Sequence, residues 1–239
     1  KTFHFAAESH VDNSINGDDE FVHTNIVGTH NILKCIRKFG GRLIHVSTDE
    51  VYGSLGSDDP AFTETTPYDP RNPYSATKAA SDHLVRAYVN THGIDAIVTN
   101  CSNNYGPRQH KEKFIPTVIR HIQNNQRVPV YGTGQNIRDW LFVEDHCDAL
   151  VHIGNNGWTG ERYNIGGGFE CTNVEMVSRI LDAMGKPVHM YQDWIQFVDD
   201  RKGHDLRYSM DSSKVRNLLG WTPQVNIEEG LQKTLEWYG

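Results

Sequence analysis

The sequence has 239 residues, 37% of them hydrophobic and 22% charged, and a formal net charge of −7. That length and composition suit a folded protein of one large domain or two small ones. The acidic balance, with no stripe of lysines and arginines, argues against a nucleic-acid surface, and no apolar run reaches the length of a membrane span.

From its first residue, KTFHFAA reads as a strand, followed by a helical stretch from Asp18 to Phe39 that Gly40-Gly41 closes. RLIHVST (42–48) reads as a second strand. After a loop rich in Gly, Asp and Pro, a helix is expected from Tyr74 to Asn90, with Ala79, Ala80, Leu84 and Tyr88 spaced for one buried face and Gly93 as its stop. IDAIVTN (94–100) is a third strand. Strands alternating with helices imply an α/β protein with a parallel, doubly wound sheet. Beyond Tyr105 the character changes: Pro107, Pro116 and Pro129 punctuate the chain, RVPVYG and RYNIGG read as short strands, and helices are expected over 173–184 and 227–237. The expected organisation is a Rossmann-like part over 1–105 and, over 106–239, mainly a smaller α/β lobe interleaved with it.

Cys35, Cys101, Cys147 and Cys171 are scattered without disulfide or zinc spacing, and no signal-peptide pattern opens the sequence, so a reduced, cytoplasmic setting is expected. The thirteen histidines form no HExxH-like pair, and no metal site is expected.

Two clusters carry chemistry. Thr48, Asp49 and Glu50 follow directly on the second strand. Adjacent carboxylates repel and are costly to desolvate, so they are either a solvated pair or a helix cap, or a working acid and base. Tyr74 and Lys78 stand four apart on the predicted helix and share a face. A cation beside a phenol favours the phenolate and lowers its pKa. Taken alone this spacing is a weak signal, since Tyr and Lys fall four apart on many solvated helices.

The two clusters occur together with HFAAESHVDNSI (4–15), TNIVGT (24–29), STDEVYG (47–53), NPYSATKAASD (72–82), NNYGP (103–107), KFIP (113–116), VPVYGTGQNIRDWLFVEDH (128–146) and DRKGHD (200–205). In these segments the chain resembles the extended short-chain dehydrogenase/reductases that act on nucleotide sugars, and among them the dTDP-glucose 4,6-dehydratases. The resemblance implies that Tyr74, helped by Lys78 and Thr48, takes the proton from the sugar 4-hydroxyl while a hydride passes to NAD. It implies Glu50 as the base at C5 and a protonated Asp49 as the acid for the departing 6-hydroxyl, with hydride return to C6. Adjacent carboxylates with pKa values pushed apart suit that pair of tasks.

Further roles follow from the resemblance alone. Ala6, Ala7, Ser9, Thr24 and Asn104 would line the NAD site with Tyr74 and Lys78. Ser9, Thr48 and Asn103 would face the sugar. Arg138 and His204, helped by Lys113 and Arg201, would meet the diphosphate, while Pro129 and Tyr131 cover the base and Asn173 reaches the nucleotide. The partners implied are a nucleotide sugar and a second copy of the chain, pairing through the helices at 18–39 and 74–90, where Ile26, Ile32, Leu33 and Ile36 are core or interface. Lys202 departs from the pattern, which has proline there. The Gly-rich turn that opens such proteins does not occur in this sequence, which begins within the fourth strand of the pattern. An N-terminally truncated form is therefore expected, with residues 2–7 left as an exposed hydrophobic edge. Two other readings stay open: an epimerase or decarboxylase of the same superfamily, and a nucleotide-sugar-binding fragment without activity.

Overall fold

The computed structural model describes residues 1–187 and 191–239. The chain opens with β1 (Thr2–His4), α1 (Val11–Asn16) and α2 (Asp19–Phe21), which continues through a π-helical segment, Val22–Gly28, into α3 (Thr29–Phe39). There follow β2 (Arg42–Thr48), a 3-10 turn at Asp49–Tyr52, α4 (Pro73–His92), β3 (Asp95–Cys101), β4 (Asn103–Tyr105) and α5 (Phe114–Gln123). Next come β5 (Val128–Tyr131), β6 (Ile137–Phe142), α6 (Val143–Asn156), β7 (Arg162–Ile165), β8 (Glu170–Thr172) and α7 (Asn173–Ala183). The described elements end with α8 (Tyr191–Trp194), β9 (Ile195–Val198), α9 (Ser213–Leu219) and α10 (Ile227–Tyr238).

The main sheet has the order β1-β2-β3-β7, and all three pairings are parallel. Period-two alternation sends neighbouring residues to opposite faces. Leu43, Ala96 and Val98 pack with Leu33, Ile36 and Val85 of α3 and α4. Ile44 and Ile97 pack on the other face with Ala149, Leu150 and Ile153 of α6 and Val215 of α9. The doubly wound arrangement read from the sequence is therefore present. β7 and α6, although they lie beyond Tyr105, belong to this layer. A second core gathers α5, α7 and α10 over β5, β6 and β9. There β6 pairs parallel with β4 and antiparallel with β8, and β5 pairs parallel with β9.

Three expectations need correction. The first strand stops at His4, not Ala7, because its pairing with β2 ends at His4–His45. Beyond it the chain turns away, and the side chain of Asn25 holds both backbone polar groups of Glu8, at 2.9 and 3.0 Å. The expected hydrophobic edge is thus a three-residue strand. The helix over 18–39 is not uniformly α, since its middle widens into the π segment that aims Asn25 inward. The buried face of α4 is largely polar: Tyr74, Ser75, Thr77, Lys78, Ser81 and Asp82 are buried, whereas Ala80, Leu84 and Tyr88 are only half-buried.

Candidate active site

The site stands where β2 and β3 end. Thr48 finishes β2 in an extended conformation, and its Oγ1 accepts the Glu50 N–H at 3.3 Å, capping the 3-10 turn. This local cap places Asp49 and Glu50 beside one another. The turn leaves through Gly53 at φ 92°, where an added Cβ would stand 2.6 Å from the Asp69 carbonyl oxygen, so only glycine fits.

Helix α4 delivers the second cluster. Asn72 caps it, accepting the Ser75 N–H at 2.9 Å, while Ser75 returns a bond to the Asn72 N–H, and Pro73 opens the first turn. The same Asn72 donates from Nδ2 to Glu50 Oε2 at 3.4 Å, tying the helix start to the acid pair. Tyr74 and Lys78 follow on the buried face, 8% and 4% exposed. The Tyr74 N–H donates to Ser14 Oγ at 3.3 Å, and its ring meets Phe21 edge-on.

Two clefts open from this point. One is lined by Ala7, Ser9, Thr48, Asp49, Glu50, Tyr74, Lys78, Cys101, Asn103 and Asn104 among others. The other brings together Ser9, Glu50, Asn103, Lys113, Pro129, Tyr131, Arg138, Asn173, Arg201 and His204. Ser9, Glu50, Asn103 and Lys113 line both, so Glu50 stands at the junction. Of the residues expected at a cofactor, Ala6 is exposed and Thr24 half-buried in the π segment, and neither lines either of these two clefts. Lys202 is likewise exposed and lines neither.

Burial governs the electrostatics. Asp49, 2% exposed, has its carboxyl pushed well above the usual range by burial and then by neighbouring Glu50. Burial also raises Glu50, but Arg201 and Arg138 pull it back. The pair therefore favours one proton on Asp49. A cation four residues on is expected to lower the Tyr74 phenol. Instead burial, then Glu50, push that phenol well above its ordinary value, with a Thr48 hydrogen bond working the other way. Lys78 directs its ammonium to the Val46 carbonyl at 2.8 Å and is itself lowered by burial.

In the second cleft, Arg138 is 5% exposed, donates to the Ile137 and Asp205 carbonyls at 2.7 and 3.0 Å, and lies 4.2 Å over the Tyr208 ring. Its partners are neutral, so its charge is available to an anion. His204 pairs with Asp200 at 2.7 Å, and Lys113 donates to the Ser9 carbonyl at 2.7 Å. Tyr131 donates to Asp12 Oδ2 at 3.1 Å. Asn104 shares its amide between His146 Nδ1 at 2.8 Å and Cys101 Sγ at 3.4 Å.

Sequence reasoning missed two supports. Asp82, 1% exposed, accepts Ser47 Oγ at 2.9 Å and Tyr68 OH at 2.6 Å and pairs with His45 at 3.2 Å. It stands one turn beyond Lys78, and that spacing was the available signal. Asn25 holds Glu8 and also donates to Thr77 Oγ1 at 2.9 Å, joining the first loop to α4, and nothing local in the sequence announced it.

The family comparison is decisive: the sequence model of GDP-mannose 4,6 dehydratase matches residues 1–234. The chain belongs to that family. Within it, the chain is 51% identical to the dTDP-glucose 4,6-dehydratase of Haemophilus influenzae, over 98% of this chain and 75% of that protein. The dTDP-glucose 4,6-dehydratase DesIV of Streptomyces venezuelae, solved with NAD and TYD bound, superposes with a TM-score of 0.94 at 47% identity, covering 99% of this chain and 72% of that one. The corresponding enzyme of Bacillus anthracis, solved in complex with NAD, gives 0.89 at 44% identity, with 99% and 71% covered. Among the described residues of this family member, no helix is long and apolar enough to cross a membrane.

Proposed function

We propose that this chain is an NAD-dependent hydro-lyase that converts dTDP-glucose to its 4-keto-6-deoxy sugar. One observation carries the reading: Glu50, beside Asp49, lines both clefts, with Tyr74 and Lys78 in one and Arg138 and His204 in the other. The relatives that match over nearly the whole chain are named for this reaction.

The first cleft suits the cofactor. Its wall holds Ser102 Oγ and Asn103 Oδ1, which are buried without protein partners, and buried polar atoms of that kind invite a polar ligand. Ala7, Ser9, Lys78 and Asn104 would hold NAD there, with Ala6 and Thr24 at its margin. When bound, NAD supplies the hydride acceptor and donor.

The chain's own groups handle the protons. Tyr74 takes the proton of the sugar 4-hydroxyl as C4 is oxidised. The ketone acidifies C5–H, and Glu50 removes that proton while Asp49 protonates the departing 6-hydroxyl. Glu50 then returns its proton to C5. Arg138 and His204, with Lys113 and Arg201, hold the diphosphate, Pro129 and Tyr131 cover the base, and Asn173 contacts the nucleotide. Thr48 and Asn103 face the sugar. We place residues 1–105 mainly with the cofactor and 106–239 mainly with the nucleotide sugar. A cytoplasmic setting agrees with the free cysteines, and we assign a homodimer through the α2–α3 and α4 helices.

Replacing Glu50→Gln tests the central assignment. Dehydration falls by about 10²- to 10⁴-fold, while a 4-keto sugar that keeps its 6-hydroxyl still forms. Dehydration at the unaltered rate would remove Glu50 from its role.

A further inference from the structure

The proposed reaction leaves one proton in the wrong place. The sugar gives up a proton from O4, a hydride from C4 and a proton from C5, and its C6 hydroxyl leaves as water. Glu50 returns the C5 proton and the hydride comes back to C6, so those two accounts close. Each turnover still ends with Tyr74 holding the O4 proton and Asp49 lacking the one it gave to water. Tyr74 is 8% exposed and Asp49 2%, and both line one cleft. The next turnover waits until Tyr74 has lost that proton and Asp49 has regained one.

Thr48 shares a cleft with both. Its Oγ1 donates to Asp49 Oδ1 at 3.1 Å while accepting the Glu50 N–H at 3.3 Å. Thr48, Asp49 and Tyr74 line one cleft, where the Thr48 hydroxyl favours the Tyr74 phenolate. Asp49 Oδ2 is buried with no protein partner, leaving that oxygen for the departing hydroxyl. A threonine hydroxyl both accepts and donates, which suits it to hand a proton on.

We propose that Thr48 carries the proton from Tyr74 back to Asp49 once per turnover, an inference that rests on the dehydratase reading. The Tyr74 O–H bond breaks as a bond forms to Thr48 Oγ1, and the original Thr48 proton moves onto Asp49 Oδ1. No group is oxidised or reduced. Negative charge moves from Asp49 to Tyr74, which is again a base for the next O4 proton. A half-turn of the Asp49 carboxyl then exchanges its two oxygens. Because a phenol is a weaker acid than a carboxyl, the transfer runs uphill and needs a preformed path.

The test compares the unaltered chain with Thr48→Val and Thr48→Ser, given NAD and dTDP-glucose, by rapid quench. Thr48→Val is expected to release one dehydrated product per site in a burst and then to turn over roughly 100-fold more slowly. Thr48→Ser is expected to restore steady turnover without a burst. In mixtures of light and heavy water, the steady rate of the unaltered chain is expected to bend, as two protons in flight require. With neither cofactor nor substrate, the infrared carboxyl band that Asp49→Asn abolishes is expected to shift in Thr48→Val and to stay in place in Thr48→Ser.

Equal slowing of first and later turnovers in Thr48→Val overturns the relay and leaves Thr48 as a support for Tyr74 alone, as does unimpaired turnover in that variant. An Asp49 band unmoved by Thr48→Val also overturns it. Should Thr48→Val not fold, a strictly linear dependence on deuterium content in the unaltered chain has the same force. Absence of any dehydrated product from the unaltered chain overturns the dehydratase reading itself, and the relay with it.

Discussion

Asp49 and Glu50 are neighbours in sequence and share a burial cost, yet the fold treats them differently. Arg201 and Arg138 favour charge on Glu50, while Asp49 is raised first by burial and then by Glu50. In the proposed mechanism turnover requires Glu50 ionised and Asp49 protonated. As pH falls through the raised Glu50 value the base is lost, and as pH rises through the Asp49 value the acid is lost. The rate profile is therefore a bell whose two limbs belong to the pair. Arg201→Gln removes a positive charge that favours the Glu50 carboxylate, so its pKa rises and the acid limb of kcat/KM moves to higher pH, by up to about one unit. A limb that moves to lower pH would contradict this electrostatic account. These residues were legible because they sit within seven consecutive letters, STDEVYG, and a local cap orders them. The raised Tyr74 phenol was not legible because its setting is not local: the Lys78 ammonium is drawn to a carbonyl of β2, 32 residues away.

At the scale of elements, the helices and strands that carry the site followed from apolar period and stop signals. The π segment did not, because no propensity marks where a helix widens. Its consequence is Asn25, 1% exposed, which bonds Glu8 in the loop after β1 and Thr77 in α4. Thr77 in turn donates to the Tyr74 carbonyl at 2.8 Å. Asn25→Ala leaves the Glu8 backbone groups and Thr77 without these bonds, and urea unfolding is expected to show a loss of about 1–3 kcal/mol. Because the Tyr74 turn loosens as well, activity is expected to fall at temperatures where the variant is still folded. Unchanged stability would mean that water replaces all three bonds. Asp82 belongs to the same scale: its partners Ser47, His45 and Tyr68 come from β2 and a distant loop. Only the folded sheet brings them together.

At the scale of the molecule, the two clefts share Ser9, Glu50, Asn103 and Lys113, so in the proposed function a sugar held in one would reach groups lining the other. Most of this architecture could be read from alternating strands and helices. The inclusion of β7 and α6 in the first layer depends on long-range pairing that no single segment encodes. The α2–α4 surface carries the expectation of pairing. Leu33 and Ile36 turn into the core, while Ile26, Ile32, Leu84 and Tyr88 stay half-buried, and Val22 and Val27 are exposed. Light scattering is expected to give twice the mass of one chain, and Leu84→Glu to halve it, since a desolvated carboxylate in a helix interface is costly. A monomeric unaltered chain would refute the assignment. The sugar chemistry is read directly by one experiment: mass spectrometry of the nucleotide sugar after incubation of the chain with NAD and dTDP-glucose. A product lighter by one water is expected, with no net consumption of NAD. A nucleotide sugar of unchanged mass, untouched or epimerised, would contradict the proposed function.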